Sequence, residues 1–182
     1  MTRPASDQPF LFNVAGLLGD DLGADRTHGI EGAQLALPDD LVLATPIEGT
    51  VRLARTNRGI LADARLATSL TGECARCLRP LTTRIEIRLE EEFLPSLDLA
   101  TGRSVPTDDE PEALRLTDHH EVDLEGPVRD AISLAEPIAP LDRPDCPGLC
   151  MVCGEPLDEG AHDHPDDDWD PRMEALRAFR PE

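Results

Sequence analysis

Three of the chain's five cysteines and two of its five histidines fall within Asp145–His164, "DCPGLCMVCGEPLDEGAHDH". The other two cysteines, Cys74 and Cys77 in "GECARCLRP", repeat the two-residue gap that separates Cys150 from Cys153. Such a gap lets a tight turn aim two sulfurs at one point about 2.3 Å away, the zinc–sulfur bond length. Gly154 directly follows the second pair and supplies the backbone freedom needed where the chain turns back beneath a metal. His162 and His164 alternate, so an extended segment presents both rings on one side. Cys146 precedes Cys150 by four residues, with Pro147 and Gly148 between them.

Redox chemistry accounts for this set poorly. A redox Cys-x-x-Cys usually opens a helix after a strand, whereas Cys74 and Cys77 lie between two expected strands. A redox dithiol also leaves the second pair and the two histidines unexplained. Inert buried thiols fit a single cysteine better than a cluster of five. Zinc suits the softness of the ligands, and one or two ions are expected. With one zinc, Cys74 and Cys77 would join two of Cys146, Cys150 and Cys153. With two, Cys150, Cys153, His162 and His164 would close one site. Cys74, Cys77 and Cys146 would then hold the other, with Asp142 or water in fourth place. That second arrangement uses every thiol. Either way, tying residues 74–77 to residue 146 closes a long loop, the case in which closure gains most in principle. A hydrolytic zinc would want an open position and a nearby base. His119 and His120 sit in an acidic loop and are expected to face solvent. With no Gly-x-Ser-x-Gly elbow, His-Glu-x-x-His or glycine-rich phosphate loop, a non-enzymatic protein is expected.

The elements that would position these groups are mostly strands. "GTVRLAR" leads through "TNRG", a hairpin turn in which Gly59 is expected to take positive φ, into "ILADARLATSL". In that second run Ile60, Ala62, Ala64, Leu66, Thr68 and Leu70 share one face. In "TRIEIRLEEEF", Ile85, Ile87, Leu89 and Phe93 point inward, while Arg84, Glu86, Arg88 and Glu90 point outward. Three alternating runs, each with one solvated side, predict an antiparallel sheet. Asp123 is expected to cap a helix through "DLEGPVRDAISLAEP", where Leu124, Val128, Ala131, Ile132 and Ala135 recur at helical spacing and Pro137 stops it. A short terminal helix is expected from Asp170 and Pro171, with Met173, Leu176 and Phe179 on one face. The predicted class is therefore α+β: an antiparallel, hairpin-rich sheet with one covering helix, a zinc-knuckle tail and a short last helix. Residues 1–44 are expected to pack on the sheet, and residues 45–140 to form the sheet and helix with an acidic, proline-interrupted loop at 95–118 that is expected to be a mobile excursion. Residues 141–182 carry the tail, the whole forming one compact domain.

Composition narrows the function classes. All 17 basic residues are arginine, so a phosphate-loop lysine and a Schiff-base lysine are excluded. The formal charge of −20 opposes indiscriminate binding to nucleic acid. Residues 51–88, however, hold eight arginines against three acidic residues. Within that basic middle, Arg52, Arg55, Arg58, Arg76, Arg79, Arg84 and Arg88 are the candidate nucleic-acid contacts. The planar guanidinium fork suits phosphate and base edges. Aromatic stacking is not expected, with four phenylalanines, one tryptophan and no tyrosine. No apolar run approaches a membrane span. "PFLFNVAGLLGDD" lacks the basic lead of a secretory signal, so a cytoplasmic protein with reduced thiols is expected.

The order of features resembles a known family. "CARCLRP", the helix "DLEGPVRDAISLAEPIAPL" leading into "DCPGLCMVCGEPL", and the closing "DPRMEALRAF" are together similar to the YceD family of large ribosomal RNA subunit accumulation proteins, over residues 45–180. The resemblance implies a role in accumulation or processing of large-subunit ribosomal RNA. The implied partner is that RNA or a basic large-subunit ribosomal protein. It supports Cys74, Cys77, Cys146, Cys150 and Cys153 as motif positions and identifies no catalytic residue. Many members carry cysteine where Asp142 stands, and Cys-x-Cys where His162-x-His164 stands; a histidine for a cysteine preserves zinc ligation. The rivals from other classes are a zinc-dependent hydrolase or nuclease acting on RNA precursors and a thiol redox sensor.

Overall fold

A computed structural model describes residues 8–38, 41–98, 101–105, 110–158, 160, 164 and 172. Three long strands dominate: β3 (Val42–Arg55), β4 (Ile60–Glu73) and β5 (Pro80–Phe93). Their alternation has the expected consequence. Ile60, Ala62, Ala64, Leu66, Thr68 and Leu70 of β4 are all buried, as are Ile85, Ile87, Leu89 and Phe93 of β5, while Arg84, Glu86, Arg88 and Glu90 are exposed. Burial of one face against a solvated other face fixes the register, because a one-residue slip would turn every apolar side chain outward.

A further strand, β2 (Asp25–Ala33), completes an antiparallel sheet in the order β2-β3-β4-β5. It lies in a stretch whose glycine and aspartate content gave no strand signal. Only Ile30 and Ala33 are buried along it, and a register shift falls between them. An edge strand with so few inward residues lacks the period-two pattern by which strands are recognised.

The apolar face of the sheet is covered from several sides. Helix α2 (Glu125–Ala135) packs against β5 and contributes the fully buried Val128 and Ile132. Strand β1 (Leu11–Asn13) pairs with β6 (Glu121–Asp123), and the short helix α1 (Ala15–Leu18) adds Leu17 and Leu18. All join one core with the sheet, together with Phe10, Phe12 and Val14. The fold is α+β, mostly antiparallel sheet with two helices, and its core is aliphatic apart from three phenylalanines.

Three local expectations differ. Asp123 is not the N-cap of α2; Leu124 is, because Asp123 is held in β6 opposite Leu11. The Asp123 carboxylate instead accepts the Glu125 N–H at 2.9 Å. Gly59 does not take positive φ in the hairpin turn. It is needed for close approach: a Cβ there would lie 2.0 Å from the Phe93 carbonyl oxygen. The acidic loop is also tied down at its end. Leu94 exchanges backbone hydrogen bonds with Leu114 and Leu116, both 2.9 Å, and Leu116 is buried. The terminal helix expected from Asp170 lies outside the described residues.

Candidate metal centres

Each Cys-x-x-Cys turn is built by the same pair of backbone hydrogen bonds. In the first, the Cys74 N–H donates to the Arg79 carbonyl at 2.9 Å and the Leu78 N–H to the Cys74 carbonyl at 3.0 Å. In the second, the Cys150 N–H donates to Glu155 at 2.8 Å and the Gly154 N–H to Cys150 at 2.9 Å. The fifth residue of each turn has positive φ, 59° at Leu78 and 74° at Gly154. Gly154 therefore fills the role its position suggests. Leu78 adopts the same left-handed conformation with a branched side chain, which ordinarily costs about 1–2 kcal/mol.

The first turn sits where β4 gives way to β5, so the sheet itself positions Cys74 and Cys77. The segment after α2 brings Asp142 and Cys146 to them. The Ala75 N–H donates to the Pro140 carbonyl at 2.8 Å, and the Arg76 guanidinium donates to the Cys146 carbonyl at 2.9 Å. Gly148, with φ of 84°, lets that segment lie against Arg76: a Cβ there would be 3.3 Å from the Arg76 carbonyl oxygen. Cys74, Cys77 and Cys146 are buried, with Leu81, Leu141 and Leu149 packed around them.

Ligand-type atoms of Cys74, Cys77, Asp142 and Cys146 all lie within 4.8 Å of one another. Cys150, Cys153 and His164 form a second group by the same measure. The described sulfurs thus divide three and two, and Cys150 and Cys153 do not join the first group. His162 lies outside the described residues. No disulfide links the five cysteines. His119 and His120 belong to neither group; their carbonyls accept hydrogen bonds from Asn13 and Val14 and pin the β1–β6 pair.

The first group is polarised. Burial pushes the Cys74 thiol up, but hydrogen bonds from the backbone at Cys77, Asp142 and Arg76 override it and hold the thiol down to about 7. Burial and the Asp142 carboxylate push Cys146 up to about 12. The Cys146 thiol in turn holds Asp142 below the usual carboxylate range, against the opposing effect of burial. One thiol is therefore disposed to ionise, while the other shares its proton with a carboxylate. In the second group, backbone hydrogen bonds at Cys153 and Val152 lower the Cys150 thiol. Three thiols with a carboxylate, and two thiols with an imidazole, are donor sets that fit a soft-to-borderline divalent cation such as zinc.

A carboxylate with no role in the sequence reading connects the two groups. Asp158 receives both ends of the Arg79 guanidinium at 2.8 Å and the Arg143 guanidinium at 2.8 Å. Arg79 follows the first turn, Arg143 adjoins Asp142, and Asp158 lies beyond the second turn. Arg79 and Arg143 also approach Asp142 at 3.9 Å each. No local pattern marks Asp158 among 37 acidic residues.

The seven arginines of the basic middle have unlike surroundings. Arg52 pairs with Asp25 at 3.1 Å, and Arg58 pairs with Glu110 and, at 3.7 Å, with Glu92. Arg55 donates to the Thr56 and Gly59 carbonyls inside the hairpin turn. Arg76 and Arg79 are engaged as above. Arg84 and Arg88 stand exposed on the outer face of β5, and no ion pair involves them among the described residues. No described helix is long and apolar enough to cross a membrane.

Comparison with known proteins places these features in a lineage. The chain is 41% identical to the Mycobacterium tuberculosis protein Rv2926c and to the Mycobacterium bovis protein Mb2951c, over 127 residues in each case. It is 30% identical to the Mycobacterium leprae protein ML1660 over 128 residues. These matches cover 69% of this chain but only 58%, 58% and 55% of the respective relatives. No solved structure matches the chain. The model of the family described as "Large ribosomal RNA subunit accumulation protein YceD" matches residues 62–180, a span that holds β4 from its third residue, β5, α2 and both cysteine groups. The chain belongs to the YceD family.

Proposed function

We propose that this chain is a non-enzymatic, zinc-stabilised accessory factor of large ribosomal subunit biogenesis that supports accumulation or processing of large-subunit ribosomal RNA. The observation that carries this reading is that the family match runs across both cysteine groups and the β4–β5 junction that positions the first of them. Cys74, Cys77, Asp142 and Cys146 would hold one zinc; Cys150, Cys153 and His164, with His162, would hold the other. The metal supplies cross-linking here, fastening the segment after α2 to the β4–β5 junction. Structural zinc contributes about 10–16 kcal/mol of apparent binding free energy in small domains.

Contact with RNA falls first to Arg84 and Arg88, which no acidic side chain occupies among the described residues, and to the exposed Arg76 beside the first turn. A chain of net charge −20 reaches RNA only through such local cations, and the surplus acid disfavours adsorption to bulk RNA. The test is capture of the tagged full chain from its own cells, with sequencing of bound RNA and identification of bound proteins. Enrichment of large-subunit ribosomal RNA or its precursors is expected; RNA no richer in that species than a mock capture contradicts the reading.

A metal-dependent hydrolase is the second reading, and one feature favours it: the first group contains a carboxylate oxygen among three sulfurs. It requires cleavage of precursor RNA by purified protein that disappears in Cys146→Ser.

A further inference from the structure

The outer face of the sheet carries a charge arrangement that the zinc groups do not use. Its rows follow from the register. Glu48 of β3, Ala67 of β4 and Glu86 of β5 are cross-strand partners in one line. The next outward line, two residues along, holds Thr50, Arg65 and Arg88. Ala67 is the smallest side chain of the six, so the face dips there into a depression of about 240 Å³ flanked by the two glutamates and the two arginines. Such a volume falls below the range typical of pockets for drug-sized ligands, roughly 300–1,000 Å³, and suits one planar ring with an attached anion.

One feature is unfavourable unless a ligand uses it, and a second leaves charges available to a ligand. Arg65 and Arg88 face each other directly across β4 and β5, a like-charge pairing that is unfavourable between neighbouring strands. Glu48, Glu86 and Arg88 form no ion pair among the described residues, although opposite charges line the same depression; Arg65 has one contact, 3.9 Å to Asp63. The strand is also irregular at this place. The β3–β4 register shifts between Thr45 and Glu48, and Gly49 follows with φ of 150°. A Cβ at Gly49 would lie 2.1 Å from the Arg65 carbonyl oxygen, so only glycine lets the bulged strand lie this close. Bulges recur beside binding sites; here regular pairing resumes at Glu48, on the rim of the depression.

We propose that this depression binds one guanine nucleotide of single-stranded RNA, with Arg65 and Arg88 on the phosphate and the Glu48 or Glu86 carboxylate on the base. Guanine presents two parallel donors, N1–H and N2–H, on its Watson–Crick edge, and a carboxylate accepts both. Uracil offers a single N–H on that edge. Two neighbouring guanidinium groups would lose their mutual repulsion once a phosphate lay between them. Recognition of this kind belongs to unpaired RNA, whose base edges are open. The inference rests on the RNA reading above and names the element by which it would discriminate.

The test uses the zinc-loaded full chain and two fluorescent RNA hexamers, one all uridine and one with a single guanine among uridines. Tighter binding of the guanine hexamer, by about ten-fold, is expected from one bidentate pairing. Glu48→Gln with Glu86→Gln should abolish the preference while leaving the weaker uridine binding. Arg65→Ala with Arg88→Ala should weaken both hexamers and flatten the salt dependence. Ala67→Leu fills the depression without changing charge and should also remove the preference, with circular dichroism confirming the sheet. Equal affinity for the two hexamers overturns the proposal, as does RNA binding untouched by the arginine substitutions; the second result leaves the broader RNA reading standing. Absence of RNA binding by the parent chain sinks both. An arginine-rich peptide that binds in place of RNA, and depends on Glu48 and Glu86, also overturns it.

Discussion

Arg79 and Arg143 reach Asp158 from the two chain segments that build the first donor group, and the carboxylate answers from beyond the second. This ion cluster, more than either turn alone, makes the two groups one structure. The two guanidinium groups hold the Asp158 carboxyl well below the usual carboxylate range. With a folded pKa below the unfolded value of about 3.9, the cluster's contribution is complete above that pH and is lost as pH falls further. Asp158→Asn should therefore weaken zinc retention against a competing chelator at pH 7. A loss of about ten-fold is expected, the lower end of the range for residues that support metal ligands. The gap in melting temperature between parent and variant should close as the pH drops below about 4. The ligand types and spacing were visible in the sequence, because two-residue gaps and alternating histidines are local patterns. Asp158 was not, since its role arises only when segments far apart in the chain converge. Nor did the sequence separate the arginines of the basic middle: Arg79 is turned inward to this cluster, whereas Arg88 is exposed and without an ion pair among the described residues.

At the scale of elements, the two cysteine turns form a natural comparison. They share a hydrogen-bond pattern, but one places leucine where the other places glycine. Leu78→Gly should relieve a left-handed strain of about 1–2 kcal/mol and lose part of that gain to the looser unfolded chain. A net stabilisation of less than about 1 kcal/mol is expected by denaturant titration; destabilisation would contradict the comparison. At the opposite end of the sheet, Gly59→Ala should cost about 1–3 kcal/mol, because its Cβ would drive β4 away from the Phe93 carbonyl. Strands β3, β4 and β5 were legible because each has one buried and one solvated face over many residues. Strand β2 was hidden by its edge position and its bulge, which leave two inward side chains in nine residues. The helix was found from its apolar spacing. Its cap was displaced by one residue because pairing with β1 holds Asp123 in a strand, a constraint that only tertiary structure imposes.

For the molecule as a whole, the acidic excess sets the conditions under which the fold is most secure. With a formal charge of −20, self-repulsion is strongest at low ionic strength. Raising salt from about 0.01 M to about 0.15 M shortens the screening length from roughly 30 to roughly 8 Å. The melting temperature of the zinc-loaded chain should rise over that interval, as followed by calorimetry. The segment after α2 is proposed to be fastened to the sheet through zinc held by sulfur-led groups. Zinc K-edge X-ray absorption on the natively purified chain tests it most directly. Bound zinc is expected, with a neighbour shell dominated by sulfur at about 2.3 Å and accompanied by nitrogen or oxygen at about 2.0–2.1 Å. A chain without zinc, or zinc surrounded by nitrogen and oxygen alone, would contradict it.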